Sequence, residues 1–324
     1  MAEAEVGDEQ RGEDPTVNTL NERVANMLGQ EDAMFLPSGT MCNQVAIITH
    51  CSPGDEIIAA DASHIIGSEG AGAAVFAGCF VRTIACERGI FSGEDVHVAV
   101  RGKKVKSPRS HLVEVEQTSN RGGGSVWTLE EINSVADATR AYSLALHMDG
   151  ARLMNAVVAS GVSAAEFAEP FDSVLLDLSK GLGCPVGGVL AGSKAFIEEA
   201  DVWKHRFGGA MRQAGIIAAA GLYALDHHVE RLAEDHENAR LFADSISEIP
   251  GVMLAFESIE TNLVFFDVGG TGLNATDISQ HLLSHGVRIG TEGETRMRAV
   301  THLDVSKQDV EEAANVLAAV ISEK

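Results

Sequence analysis

Cysteine is scarce in this 324-residue chain: Cys42, Cys51, Cys79, Cys86 and Cys184 make five, an odd number with no C-x-x-C spacing. That argues against a disulfide framework and against a zinc site built on cysteine pairs, and it leaves free thiols. Long apolar runs are missing too, since none approaches the ~20 residues of a membrane-spanning helix. Residues 1–13 are acidic and lack the basic-then-apolar order of a signal peptide, so the expected compartment is the cytoplasm. Positive charge is in short supply, with 24 Lys and Arg against 47 Asp and Glu and a formal net charge of -23. Such a balance argues against a nucleic-acid or anionic-membrane partner and fits an ordinary acidic surface or a salt-adapted one. There is no internal repeat, no heptad pattern and no G-x-G-x-x-G of a dinucleotide-binding turn.

What is present suits a large buried core, with 45% hydrophobic and 22% charged residues. The length predicts a large domain, residues 1–235, followed by a small α+β domain, residues 236–324. Near-continuous apolar runs at 33–36, 57–60, 81–84, 112–115, 144–148, 174–178 and 189–191 read as strands of a sheet covered on both faces. Helix signals lie between them, such as Thr128 with Glu131 as a capping box ahead of 132–138. The pattern is βαβ, so the fold class is α/β with a mostly parallel sheet, whose ligands collect at the carboxyl ends of strands. A long helical stretch is expected over 212–242, strands at 252–256 and 263–268, helices at 275–284 and 310–321, and a mobile turn at 121–124.

Two residues leave adjacent predicted strands at that rim. Asp149 ends the run 144–148 and Lys180 follows the run 174–178, an interval that suits one right-handed crossover. Alone, Asp149 reads as a helix N-cap and Lys180 as a solvated turn residue. Together they are what a pyridoxal 5′-phosphate (PLP) enzyme needs, an aspartate to keep the pyridine nitrogen protonated and a lysine to form the Schiff base. Ser38, Gly39 and Thr40 open the helix at 41–49, where free N–H groups bind phosphate, although Ser38 alone is also a plain N-cap. His64 follows the strand at 57–60 on the same rim, where an imidazole could stack on a flat cofactor.

At these residues the chain resembles the L-threonine aldolases of the β-eliminating lyase group, PLP enzymes of fold type I. The matching stretches are Gly12-Glu13-Asp14-Pro15-Thr16-Val17-Asn18, Pro37-Ser38-Gly39-Thr40-Met41, His147-Met148-Asp149-Gly150-Ala151-Arg152, Leu178-Ser179-Lys180-Gly181-Leu182-Gly183, Met211-Arg212-Gln213 and Val300-Thr301-His302-Leu303-Asp304. The resemblance implies that Lys180 carries the cofactor, Asp149 pairs with its pyridine nitrogen, Arg152 lies beside its phenolic oxygen and His64 stacks on its ring. Ser38, Gly39, Thr40 and Arg212 would hold the phosphate, and Arg298 would clamp the substrate carboxylate as a fork of donors. The implied reaction is retro-aldol cleavage of L-threonine, L-allo-threonine and related L-β-hydroxy-α-amino acids to glycine and an aldehyde. No metal is implied. A homodimer or a tetramer of dimers is implied, because such sites usually take residues from two subunits.

Three departures accompany the likeness. Many relatives open with a strand and helix carrying Arg-Ser-Asp-Thr, for which this chain has no counterpart, so its N-terminal segment reads as shortened. Arg11 stands where relatives commonly have tyrosine. Ser119 stands where some have a second histidine near the substrate hydroxyl; serine is a poor base at neutral pH, which leaves His64 or a water as the expected proton acceptor. Two alternatives stay open at this point: another PLP-dependent β-elimination, and a PLP-binding protein with impaired catalysis.

Overall fold

In a computed structural model the described residues are 1–102 and 104–322, and they fall into two units. The first, residues 1–122 and 126–229, is built on the apolar runs. Strands β1 (Asp32–Leu36), β2 (Asp55–Ala60), β3 (Phe80–Ile84), β4 (Arg109–Glu116), β5 (Ala145–Gly150), β6 (Ser173–Asp177) and β7 (Gly188–Gly192) form one sheet in the order β1-β7-β6-β5-β4-β2-β3. The ladder from β3 through β6 is parallel, whereas β7 runs antiparallel to both β6 and β1. Every residue of β2, β6 and β7 is buried, as covered strands require.

Two helices position the site. Helix α1 (Pro15–Leu28) starts with Asp14 as N-cap and proline at its first position, and ends at Gly29 with φ 67°. It buries Val17, Leu20, Val24 and Leu28, one stripe at helical spacing. Helix α2 (Gly39–His50) packs Cys42, Val45 and Ala46 against Leu175 and Leu190 of the sheet. Acidic residues before α1 tie down the segment 209–215. The Asp14 carboxylate accepts from Gly215 N at 2.9 Å, Glu9 accepts from Met211 N at 3.0 Å, and Glu9 also pairs with buried Lys204.

The second unit, residues 123–125 and from 230 onward, holds β8 (Met253–Leu254), β9 (Leu263–Asp267), β10 (Gly290–Thr291) and β11 (Arg296–Val300), an antiparallel sheet in the order β10-β11-β9-β8. Its helices Leu232–Ser247, Ala275–Ser284 and Lys307–Ser322 close a separate core around Phe242, Val264, Phe266, Leu282 and Leu317.

The α/β fold with a mostly parallel sheet is as expected, and several local details differ. The stretch 212–242 is two helices, Gly215–His227 and Leu232–Ser247, parted where the His228 ring bonds the Leu182 carbonyl at 2.6 Å. The run 252–256 supplies only the two paired residues of β8. The turn at 121–124 is packed: a Cβ on Gly122 would collide with the Arg88 carbonyl. Strand β5 continues through Asp149, held by Gln117 N donating to the Asp149 carbonyl at 2.8 Å, and Arg152 takes the cap position of the helix Leu153–Ser160. None of the described helices is long and apolar enough to cross a membrane.

Candidate active site

Parallel register delivers the chemistry to one rim. Glu116 of β4 stands opposite Asp149 of β5, Asp149 stands opposite Leu175 of β6, and Lys180 follows three residues after β6 ends. Asp149 is 1% exposed. Its Oδ2 accepts from Asn43 Nδ2 at 2.7 Å and its Oδ1 from Ala151 N at 3.0 Å. Burial pushes its pKa above the ordinary aspartate range and the Glu69 charge pushes the same way, with the Asn43 bond, His64 and the Ala151 bond opposing.

His64 opens the short helix His64–Gly67, with its backbone N–H 3.3 Å from Glu116 Oε2. Its Nδ1 lies 2.9 Å from Glu69 Oε1, and this bond holds the imidazole pKa above its ordinary value while burial opposes. Glu69 Oε1 also accepts from Asn43 Nδ2 at 2.8 Å. One ligand atom each from His64, Glu69 and Asp149 lie within 4.8 Å of one another, close enough for a single cation to bridge. Behind them burial, then Asp149, raises Glu116 to about 7, and burial raises Glu114 as well.

Lys180 is exposed on the turn after β6, and that turn is built by Asp177, whose Oδ1 accepts from Ser179 N at 2.7 Å and Ser179 Oγ at 2.8 Å. The other carboxylate oxygen of Asp177 sits where a Cβ on Gly39 would be, so glycine is needed for the N-terminus of α2 to approach the lysine turn. Ser38 caps α2 by accepting from Met41 N at 3.2 Å, while the N–H groups of Gly39 and Thr40, in the first turn, have no acceptor within the helix.

The structure thus joins His64 to Asp149 through Glu69 and Asn43, and Gly39 to the turn of Lys180. Arg152 stands two residues past the end of β5, close enough to Glu116 to lower its pKa. Ser119 is buried, its Oγ accepting from Gly122 N at 3.3 Å and packed on Gly89. Arg212 pairs with Asp8 at 2.8 Å. Arg298 lies on β11 of the second unit, 3.4 Å from Glu292. Sequence reasoning missed Asn43, Glu69, Glu114 and Glu116; two glutamates alternating with Val113 and Val115 in a buried strand were the available signal for the last pair.

Solved structures with this architecture include Leishmania major threonine aldolase, with a TM-score of 0.83 at 22% identity over 96% of this chain and 91% of that one. Another is the aspartate aminotransferase of Rhizobium meliloti, at 0.70 and 16% over 98% and 83%. The fold is therefore that of the fold type I enzymes. The profile of the beta-eliminating lyase family matches residues 1–268, and the chain belongs to that family. It is 39% identical over 315 residues to the low specificity L-threonine aldolase of Escherichia coli (strain K12), covering 97% of this chain and 92% of that protein. To low-specificity L-threonine aldolase 1 of Arabidopsis thaliana it is 36% identical over 315 residues, covering 96% and 88%.

Proposed function

We propose that this chain is a PLP-dependent lyase that cleaves L-threonine, L-allo-threonine and related L-β-hydroxy-α-amino acids to glycine and an aldehyde. The observation that carries this reading is the delivery of Asp149 and Lys180 to the carboxyl ends of neighbouring parallel strands, in a chain akin to threonine aldolases over nearly its whole length. The donor set fits the cofactor. Asp149 and Glu69 are buried carboxylates to which a protonated pyridine nitrogen brings positive charge, α2 offers first-turn N–H groups to a phosphate, and Lys180 is an accessible primary amine.

When bound, PLP supplies a sink for the electron pair released as the Cα–Cβ bond breaks. Lys180 would hold the cofactor through its side-chain amine. Asp149 would keep the pyridine nitrogen protonated, and Arg152 would serve the phenolic oxygen. His64 would cover the ring; because its Nδ1 faces Glu69, its Nε2 is left to take the β-hydroxyl proton, directly or through a water. Ser38, Gly39, Thr40 and Arg212 hold the phosphate. By the likeness to threonine aldolases, Arg298 would take the substrate carboxylate and Ser119 would face the substrate hydroxyl. The working form is a homo-oligomer, dimer or tetramer, in the cytoplasm.

The test is the visible spectrum of purified protein before and after L-allo-threonine, with glycine assayed in the same cuvette. A yellow band that shifts while glycine accumulates is expected, and the band and the turnover disappear in Lys180→Ala. A Lys180→Ala protein that kept the wild-type rate would sink the assignment.

A further inference from the structure

A single file of hydrogen bonds leads away from Asp149 through the first unit. Asn43 Nδ2 has two hydrogens, and both are used, toward Asp149 Oδ2 at 2.7 Å and Glu69 Oε1 at 2.8 Å. The reversed amide would set its oxygen against two carboxylate oxygens at those distances, so the orientation is determined. Asn43 Oδ1 can then only accept, and its partner is His147 Nε2 at 3.1 Å, which must carry the ring hydrogen. His147 Nδ1 is left as an acceptor, 2.8 Å from Ser173 Oγ, whose one hydrogen goes to it. Ser173 Oγ in turn accepts from His50 Nε2 at 2.8 Å. His50 stacks on Phe196 with centroids 4.6 Å apart and lines a surface cavity of about 540 Å³ with Glu31, His111 and Asp172.

Both rings are neutral. Burial, then the nearby His50, lowers His147 to about 3 against the opposing Ser173 backbone, and burial, then His111, lowers His50 to about 4. Each neutral ring has one hydrogen, so every bond in the file points its donor toward Asp149.

We propose that His147, Ser173 and His50 are positioning residues that anchor the far side of the Asn43 amide, whose amino group faces Asp149 and Glu69, and so hold in place the aspartate that meets the cofactor's pyridine nitrogen. The inference rests on the PLP reading above. None of the three need touch cofactor or substrate. A buried serine and a buried histidine in adjacent strands, Ser173 opposite His147, would otherwise be a needless desolvation cost inside an apolar sheet.

The experiment is ¹⁵N NMR on the full chain with labelled histidine, loaded with ring-¹⁵N PLP, for wild type, Ser173→Ala and His50→Phe. The second variant keeps the stacked ring and deletes only the terminal donor, so it serves if Ser173→Ala folds poorly. Expected are a neutral Nε2–H tautomer for His147 in wild type, a pyridine nitrogen signal moved toward the unprotonated form in the variants, and kcat lowered about tenfold for Ser173→Ala at unchanged KM. A wild-type His147 protonated on Nδ1 would overturn the proposal, as would variants whose pyridine nitrogen signal stays at the wild-type position. If wild type bound no PLP, the proposed function would fail separately, and the His147 tautomer in the cofactor-free protein would still decide the direction of the file.

Discussion

Replacing Asp14 isolates how the acidic opening of the chain holds the segment that carries Arg212. Asp14 is fully buried, and its Oδ1 accepts from Thr16 N and Val17 N, each at 3.1 Å, while its Oδ2 accepts from Gly215 N at 2.9 Å. In Asp14→Ala the helix α1 loses its N-cap, worth about 1 kcal/mol, and a buried N–H of Gly215 is left without its acceptor, worth about 1–3 kcal/mol. The sum is about 3 kcal/mol. At roughly 2–4 °C per kcal/mol for a unit of this size, calorimetry should show Tm lowered by about 6–12 °C. Asp14→Asn keeps one oxygen to cap α1 but turns an NH2 toward Gly215 N, so it should lose about two thirds as much. Amide exchange separates the two bonds: Gly215 should lose protection in both variants, the first turn of α1 only in the alanine variant. An Asp14→Ala protein melting within 2 °C of wild type, or an asparagine variant as damaged as the alanine one, would refute the two-bond account.

Other perturbations probe the site and the second core. Gly39→Ala sets a methyl group against the Asp177 carboxylate, so α2 must shift; PLP affinity, read by equilibrium dialysis, should weaken at least tenfold. Glu116 titrates at about 7 in the fold against an ordinary 4.5, so the folded protein holds a proton that the unfolded chain has lost. Its contribution to stability is complete below about pH 4.5 and is lost as the pH rises through 7; Glu114 and Asp149 are pushed the same way. Melting scans from pH 5 to 8 should therefore fall less steeply for Glu116→Gln than for wild type. Phe266→Ala empties a fully buried position in the second core and should cost about 3–5 kcal/mol, read as lost amide protection in the helix Leu232–Ser247.

The strands and the pair Asp149 and Lys180 were legible because each rests on local information: an apolar run sets a covered strand, and a polar residue at its carboxyl end is set apart by contrast. The polar groups around them were not. Asn43 sits mid-helix and reads as an ordinary polar position until a partner 106 residues away gives it a task. Glu69 falls in a glycine-rich stretch without periodicity, and Ser173 is a lone hydroxyl at the start of a strand. His147 lay in a recognised motif, but nothing in the chain order says which of its ring nitrogens is a donor. The break after His227 has no proline or glycine to announce it, since a tertiary bond to Leu182 marks it. Strand direction was equally hidden: β7 is a short apolar run like the rest, yet it runs against both its neighbours, β1 and β6.

The place of β1 in the sheet also sets a timetable for synthesis. Its one sheet neighbour is β7, which leaves the ribosome about 150 residues later. At roughly 5–20 residues per second the first strand waits about 8–30 s for its partner. Through that interval α2, which follows β1 directly and carries Gly39 and Asn43, has no β7 to pack against. The candidate site is therefore a late product of translation, and the apolar segment 33–36 is the stretch of nascent chain that most needs shelter.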